Sequence, residues 1–254
     1  MVLREIRDAY TAIEAHEGIH VEPEGLALDD ELTMAIYSEG DTTGVFQFES
    51  EGMQEWLRKL RPSSFSDLVA MEALYRPGAM DLIPSFVARK KGEEAITYPI
   101  PRMEEILGET YGIIVYQEQT MRLAEKLAGF TPEKADKLRK AFGKRNIMIL
   151  ETLHDEFIDG GAKKGYNCSA LQEVWDMMDS QYTFNKSHAV CYTWISYQMA
   201  WLKAHYPKEF YLAFLNQHLG QFEELHYYIQ DAANHNVFVI PPDKSKSGMF
   251  EVIE

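Results

Sequence analysis

The segment Tyr182-Thr183-Phe184-Asn185-Lys186-Ser187-His188-Ala189 opens a long apolar helix pattern and gathers residue types that hold phosphate. Helical spacing continues through Val190, Trp194, Ile195, Tyr197, Gln198, Trp201 and Leu202 and stops at His205-Tyr206-Pro207. Ser187 is the natural N-cap of such a helix. The first turn of a helix leaves backbone N–H groups without intrahelical partners and carries the positive end of the dipole, so an anion is stabilised there. Lys186 adds a full positive charge, and Asn185 and His188 add directional donors suited to a triphosphate oxygen. The same residues also fit an ordinary Ser-capped core helix with a solvated lysine. The motif alone therefore points to nucleotide chemistry without deciding it.

The elements around this segment read as mostly helical. Apolar spacing predicts helices over residues 2–14, 31–37, 65–75 and 81–91, the third stopped by Arg76-Pro77-Gly78. Ser50 caps a further helix whose Met53, Trp56, Leu57 and Leu60 form one stripe, and Pro62 ends it. Residues 45–48 alternate like a strand after turn chemistry at 40–44, and residues 98–101 and 112–115 read as extended. A helix over 117–128 ends at Gly129, and Thr131-Pro132 restarts the chain as helix. In that next helix Ala135, Leu138, Ala141 and Phe142 point inward, while Lys137, Lys140 and Lys144 share an outward stripe with Arg139 at its edge. Helices follow over 147–164, 169–179, 207–220 and 222–234, and residues 237–242 and 249–253 look like strands. The fold class is thus mainly α: a multi-helix domain with a few short strands, the C-terminal pair truncated. A chain that ends inside a strand pattern reads as a fragment of something longer, because a lone strand pair is marginal in water.

Composition bounds the function. The net charge of −15, from 25 Lys plus Arg against 40 Asp plus Glu, argues against a whole surface devoted to nucleic acid. Basic residues nevertheless cluster at 89–91, 134–145, 163–164 and 186. The two cysteines, Cys168 and Cys191, lack metal-ligand spacing and read as buried thiols in a reducing compartment. No signal peptide and no apolar run of membrane-spanning length occurs, so the expected location is cytoplasmic, with no membrane partner.

Several separated segments resemble one family, the alpha subunit of bacterial DNA polymerase III among the C-family replicative polymerases. The likeness runs through Gly44-Val45-Phe46-Gln47-Phe48-Glu49-Ser50, Ala73-Leu74-Tyr75-Arg76-Pro77-Gly78 and Tyr111-Gly112-Ile113-Ile114-Val115-Tyr116-Gln117-Glu118-Gln119. It continues through Leu138-Arg139-Lys140-Ala141-Phe142-Gly143-Lys144, Phe184 to Ala189, Ser196-Tyr197-Gln198 and Trp201 to Pro207. What it resembles is the fingers region: residues 1–40 as the end of the palm and connecting helices, 41–220 as a helical fingers domain, and 221–254 as the start of the connection toward the clamp-binding region.

The resemblance implies that the basic helix and the Asn185 to His188 segment face the triphosphate of an incoming deoxynucleotide. Arg139, Lys140 and Lys144 then supply fixed cations, joined by Arg76, Asn185, Lys186, Ser187 and His188. Arg76 also fits a solvated arginine at a helix end. Lys140 stands where many members carry Arg, keeping the charge but losing the bidentate fork. Tyr182 is the candidate for stacking on a base, whereas Tyr192, Trp194, Tyr197 and Trp201, at helical spacing, read as core. The implied partners are dNTP, primer-template DNA, the palm of the same subunit, and, through the parent protein, the sliding clamp and other replisome subunits.

Catalytic residues are not expected in this chain. Phosphoryl transfer by a polymerase needs carboxylates that hold two metal ions about 4 Å apart, and no Asp-x-Asp occurs here. Mg²⁺ is implied for the parent polymerase, with its ligands in the palm. No metal is expected in this chain: Glu49-Ser50-Glu51 reads as structural at a helix start, and the histidines show no zinc-ligand arrangement. The isolated chain should not extend a primer. Two other readings stand beside this one: a helical protein-interaction module with an acidic docking surface, and a phosphate-ester enzyme using His188 as acid or base near Lys186 and Arg139.

Overall fold

The structure is a computed structural model that describes residues 2–220, 222–243, 245 and 248–252, with residues 222–224 described in the backbone alone. The predicted Ile253 at the end of the last strand lies outside the described residues. Thirteen α-helices and one two-stranded sheet make up the described chain, the mainly α architecture that the apolar periodicity predicts. None of the described helices is long and apolar enough to cross a membrane.

The helices are α1 (Val2–Glu17), α2 (Glu31–Ser38), α3 (Glu51–Leu60), α4 (Phe65–Leu74), α5 (Ile83–Lys90), α6 (Glu104–Leu107) and α7 (Gln117–Leu123). They continue as α8 (Pro132–Lys144), α9 (Ile147–Lys163), α10 (Cys168–Ser180), α11 (Lys186–His205), α12 (Pro207–Gln217) and α13 (Phe222–Asn234). Strands β1 (Val239–Ile240) and β2 (Glu251–Val252) pair antiparallel, Val239 opposite Val252. The chain divides into two compact units, residues 1–65 with 191–254, and residues 66–190.

In the first unit, Ile6, Ala9 and Ile13 bury the inner face of α1, which packs on α12. Residues 45–48 are not a strand. Two successive turns run there, Val45 N–H to Thr42 O at 2.9 Å and Phe48 N–H to Val45 O at 3.1 Å, with Gln47 at φ 66°. The alternation of Val45 and Phe48 with polar neighbours arises because the turns send both apolar side chains to the interior. Gly44, at φ 74°, lies against the rings of Phe210 and Phe214, where a Cβ would come within 3.4 Å.

The second unit carries a core of Leu123, Leu127, Phe130, Leu138, Leu153, Phe157, Leu171, Val174 and Trp175 contributed by α7 to α10. After α7 the helix widens into a π-helical turn at Ala124–Ala128 that ends at Gly129 in the left-handed region, φ 73°. Lys164 donates to carbonyls of that turn, to Lys126 O at 2.8 Å and Glu125 O at 3.4 Å. Against the expectation of buried thiols, both Cys168 and Cys191 are exposed. Cys168 is the first residue of α10, directly after its N-cap Asn167, and faces out.

Candidate functional site

Four segments distant in sequence meet around Phe184 in the second unit. A parallel bridge pairs Tyr116 with Phe184: Phe184 N–H donates to Val115 O and Gln117 N–H to Phe184 O, each at 2.9 Å. This bridge holds the chain extended up to Phe184, so the turn into α11 begins at Asn185. Asn185, not Ser187, is the N-cap: its Oδ1 accepts from His188 N–H at 2.8 Å, and its carbonyl accepts from Ala189 N–H at 3.2 Å. Ser187, displaced to the second helical position, is exposed. Both residues are acceptable capping types, and the tertiary bridge decides between them.

The remaining candidates attach to this frame. The Arg76 guanidinium lies 3.8 Å from the centre of the Phe184 ring, a cation–π contact. Its Nη2 donates to Glu72 Oε1 at 2.6 Å. The His188 ring meets Phe184 edge-on, 5.4 Å between centroids. Arg139 reaches the same strap through Gln117, Nη1 donating to Gln117 Oε1 at 3.2 Å. Tyr182 is 50% exposed, and its Cβ lies 3.8 Å from where Gly78 would carry one. The Arg76-Pro77-Gly78 loop therefore flanks the strap at both Tyr182 and Phe184. Arg76, Arg139, Asn185, Lys186, Ser187 and His188 are thus brought together. Lys140 is linked to them through Asp136, which it shares with Arg139. Lys144, one turn further along α8, is exposed and has no ion pair among the described residues.

Sequence reasoning missed the acidic partners of these cations. Asp136 accepts from Arg139 Nε at 2.9 Å and Nη2 at 2.8 Å, and from Lys140 at 2.6 Å. Those hydrogen bonds, to Lys140 and then Arg139, hold its carboxyl below the usual range. Glu109 takes the Lys186 ammonium on both oxygens at 2.7 Å. Glu118 accepts from Asn185 Nδ2 and from Lys186 backbone N–H, each at 3.0 Å. Glu72 is buried, and burial pushes its carboxyl up to about 7 although the Arg76 charge and hydrogen bond oppose the rise. Its Oε2 and Arg76 Nε have no hydrogen-bond partner among the described residues. Glu72 with Arg76, and Asp136 with Arg139 and Lys140, carry a readable signal, the three- and four-residue helical spacing. Glu109 and Glu118 carry none, because they meet α11 only through the fold.

Residues 2–165 match the family model described as bacterial DNA polymerase III alpha subunit finger domain. The chain belongs to that family. It is 42% identical to DNA polymerase III subunit alpha of Aquifex aeolicus (strain VF5) over 99% of its own length, and 40% identical to that of Bacillus subtilis (strain 168) over 98%. The corresponding subunit of Halalkalibacterium halodurans is 42% identical over 97% of the chain. The chain spans about a fifth of the length of these curated relatives, 22% in each case. The finger-family match takes in Arg76, Arg139, Lys140 and Lys144 and stops short of Tyr182, whereas the matches to the longer subunits take in nearly the whole chain.

Two other features of this finger chain do not join the cation cluster. In the second unit a cleft of about 700 Å³ is lined by Arg145, Glu151, His154, Asp155, Trp175 and Asp179 and includes none of the expected nucleotide contacts. In the first unit Asp41, Asp231 and His235 bring three potential metal-ligand atoms within 4.8 Å of one another. The buried Lys203 ammonium lies 2.9 Å from Asp41 Oδ1 and from Asp231 Oδ2. A metal ion there would meet a full positive charge at contact distance, so the cluster does not fit Mg²⁺. His235 Nε2 lies 2.6 Å from Asp41 Oδ2, a hydrogen bond that raises the imidazole above its ordinary value. Burial pushes Asp41 up, but the His235 bond and the Lys203 charge outweigh it and hold the carboxyl low.

Proposed function

We propose that this finger domain binds the triphosphate of an incoming deoxynucleotide, and part of the template strand, during template-directed DNA synthesis by a longer polymerase. The observation that supports this most is the convergence of Arg76 and, through Gln117, Arg139 on the strap between Tyr182 and His188 that carries Lys186, from segments far apart in sequence. A triphosphate needs several fixed cations. Arg76 is matched with the buried Glu72, whereas Arg139 and Lys186 are matched with carboxylates near the surface, Asp136 and Glu109. Such exposed pairs are worth only about 0–1 kcal/mol each. A ligand with three or more negative charges therefore competes well for them. Lys140 and Lys144 extend the positive stripe along α8, the exposed Ser187 hydroxyl and the His188 ring add donors at the start of α11, and Tyr182 offers a face on which a base can stack.

The polymerase reaction belongs to the longer protein, whose palm supplies the Mg²⁺ ligands. No Asp-x-Asp occurs in this chain, and the one three-ligand cluster among its described residues is met by the Lys203 ammonium. Primer-template DNA and the palm are its partners in this reading, with the sliding clamp and other replisome subunits reached through the longer protein. The chain alone should not extend a primer. Purified chain incubated with primer-template, dNTPs and Mg²⁺ tests this, and extension absent from a metal-free control contradicts it. Nucleotide binding is tested by titrating dATP against the wild type and the Arg139→Ala/Lys186→Ala double variant. The reading predicts a loss of more than about tenfold, since each charge-assisted hydrogen bond is worth roughly 1.5–3 kcal/mol. Equal affinity would overturn it.

A further inference from the structure

The start of α11 is already occupied by an anion that the chain itself supplies. Of the first three backbone N–H groups of that helix, the one at Lys186 donates to Glu118 Oε2 at 3.0 Å and the one at His188 to Asn185 Oδ1 at 2.8 Å. Only the N–H of Ser187 is left between them. Glu118 Oε1 also accepts from the Asn185 amide at 3.0 Å, which takes one of that amide's two N–H donors. Glu109 meanwhile takes the Lys186 ammonium on both of its oxygens. The backbone, side-chain amide and ammonium groups that suit a phosphate are thus held by two carboxylates. These come from a different part of the chain, 68 and 77 residues away from Lys186.

With the triphosphate reading above as its premise, we propose that Glu118, assisted by Glu109, is a built-in competitor for the phosphate site, holding the α11 N-terminus closed until a polyphosphate displaces it. A carboxylate and a phosphate oxygen seek the same donors, and the positive end of the helix dipole favours either. Two carboxylates left facing a bound phosphate would repel it, so entry of the ligand requires both side chains to turn away. Both lie near the surface: Glu118 is half-buried and the Glu109 side chain is 39% exposed. Each can therefore rotate into water without leaving a charge buried. The device sets a threshold, admitting ligands that carry several negative charges and rejecting a single one. It also leaves the donors aligned before the ligand arrives.

Calorimetric titration of the full chain with inorganic tripolyphosphate tests this. The variants are Glu118→Gln, Glu109→Gln, the Arg139→Ala/Lys186→Ala pair, and Glu173→Gln, which makes the same charge change on the exposed face of α10. Glu118→Gln is expected to bind about fivefold more tightly than both the wild type and Glu173→Gln, a shift at the upper end for an exposed ion pair. Glu109→Gln should move in the same direction and, touching only the Lys186 side chain, keeps the α11 start intact. The Lys186 amide resonance should shift when the wild type is saturated and should already be displaced in unliganded Glu118→Gln. If Glu118→Gln binds no better than Glu173→Gln while the Arg139/Lys186 variant loses binding, the competitor is refuted and the phosphate site stands. If neither the wild type nor any variant binds tripolyphosphate, both fall.

Discussion

Glu72 and Arg76 form a half-satisfied pair whose ionisation the protein resists. The Glu72 carboxyl is raised from 4.5 to about 7 chiefly by burial. Between those values the folded chain binds a proton that the unfolded chain has released, so stability falls as pH rises from 4.5 toward 7 and stays lower above. Glu72→Gln keeps an acceptor for Arg76 and removes this loss. Urea unfolding at pH 5 and pH 8 should show a larger drop for the wild type than for the variant, and parallel profiles would contradict the assignment. His235, raised by its bond to Asp41, loses its own contribution as pH rises through its folded value. It does so equally in both chains, so the comparison cancels it. Lys203 is the other buried charge that decides stability. Its ammonium bridges Asp41 and Asp231 with no exposed side-chain surface, and Lys203→Met should cost about 3–5 kcal/mol because two carboxylates lose their counter-ion. Little of this was legible in the sequence: Lys203 reads there as one lysine at the end of an apolar helix, and its partners come from residues 162 and 28 positions away.

Helices were the legible elements, and the errors cluster where tertiary contacts override local chemistry. The apolar stripe of α3 and its Ser50 cap, the Thr131-Pro132 start of α8 and the Gly129 stop before it all appear as their residue types predict. The start of α11 does not, because the bridge from Phe184 to Tyr116 selects Asn185 over Ser187 as cap. Asn185→Ala should therefore destabilise the chain by about 1 kcal/mol, while Ser187→Ala should stay within about 0.5 kcal/mol. Thermal unfolding of the two variants checks this, and the reverse order would restore Ser187. Gly160 and Gly161 are the opposite case, two glycines inside α9 that propensity alone disfavours. A Cβ at Gly160 would collide with the Ala128 carbonyl, and one at Gly161 with the Leu171 side chain. Close packing of α9 on the π-helical turn needs the missing side chain of Gly160, and its packing on α10 that of Gly161. Gly160→Ala should destabilise by about 1–3 kcal/mol, although alanine is the better helix former by about 1 kcal/mol. A gain in stability would mean that this approach is slack.

For the whole molecule, family and fold class were open to sequence reasoning, and the internal balance of charge was not. The motifs that resemble polymerase fingers are spread across the chain, and their order carries the family assignment that the finger-family match bears out. Their cations read in sequence as free phosphate contacts, yet in the fold Arg76, Arg139, Lys140 and Lys186 all face carboxylates. A net charge of −15 adds a repulsive background for nucleic acid. DNA binding by this chain should therefore be weak and should fall steeply with salt. The most direct test of the account is fluorescence anisotropy of a labelled primer-template, with dNTP present, across a salt series for the wild type and the Arg139→Ala/Lys186→Ala variant. The account predicts salt-sensitive binding in the wild type that weakens by more than about tenfold and loses salt slope in the variant. Equal binding by the two chains, with equal slopes, would contradict the placing of a phosphate face at the Phe184 strap.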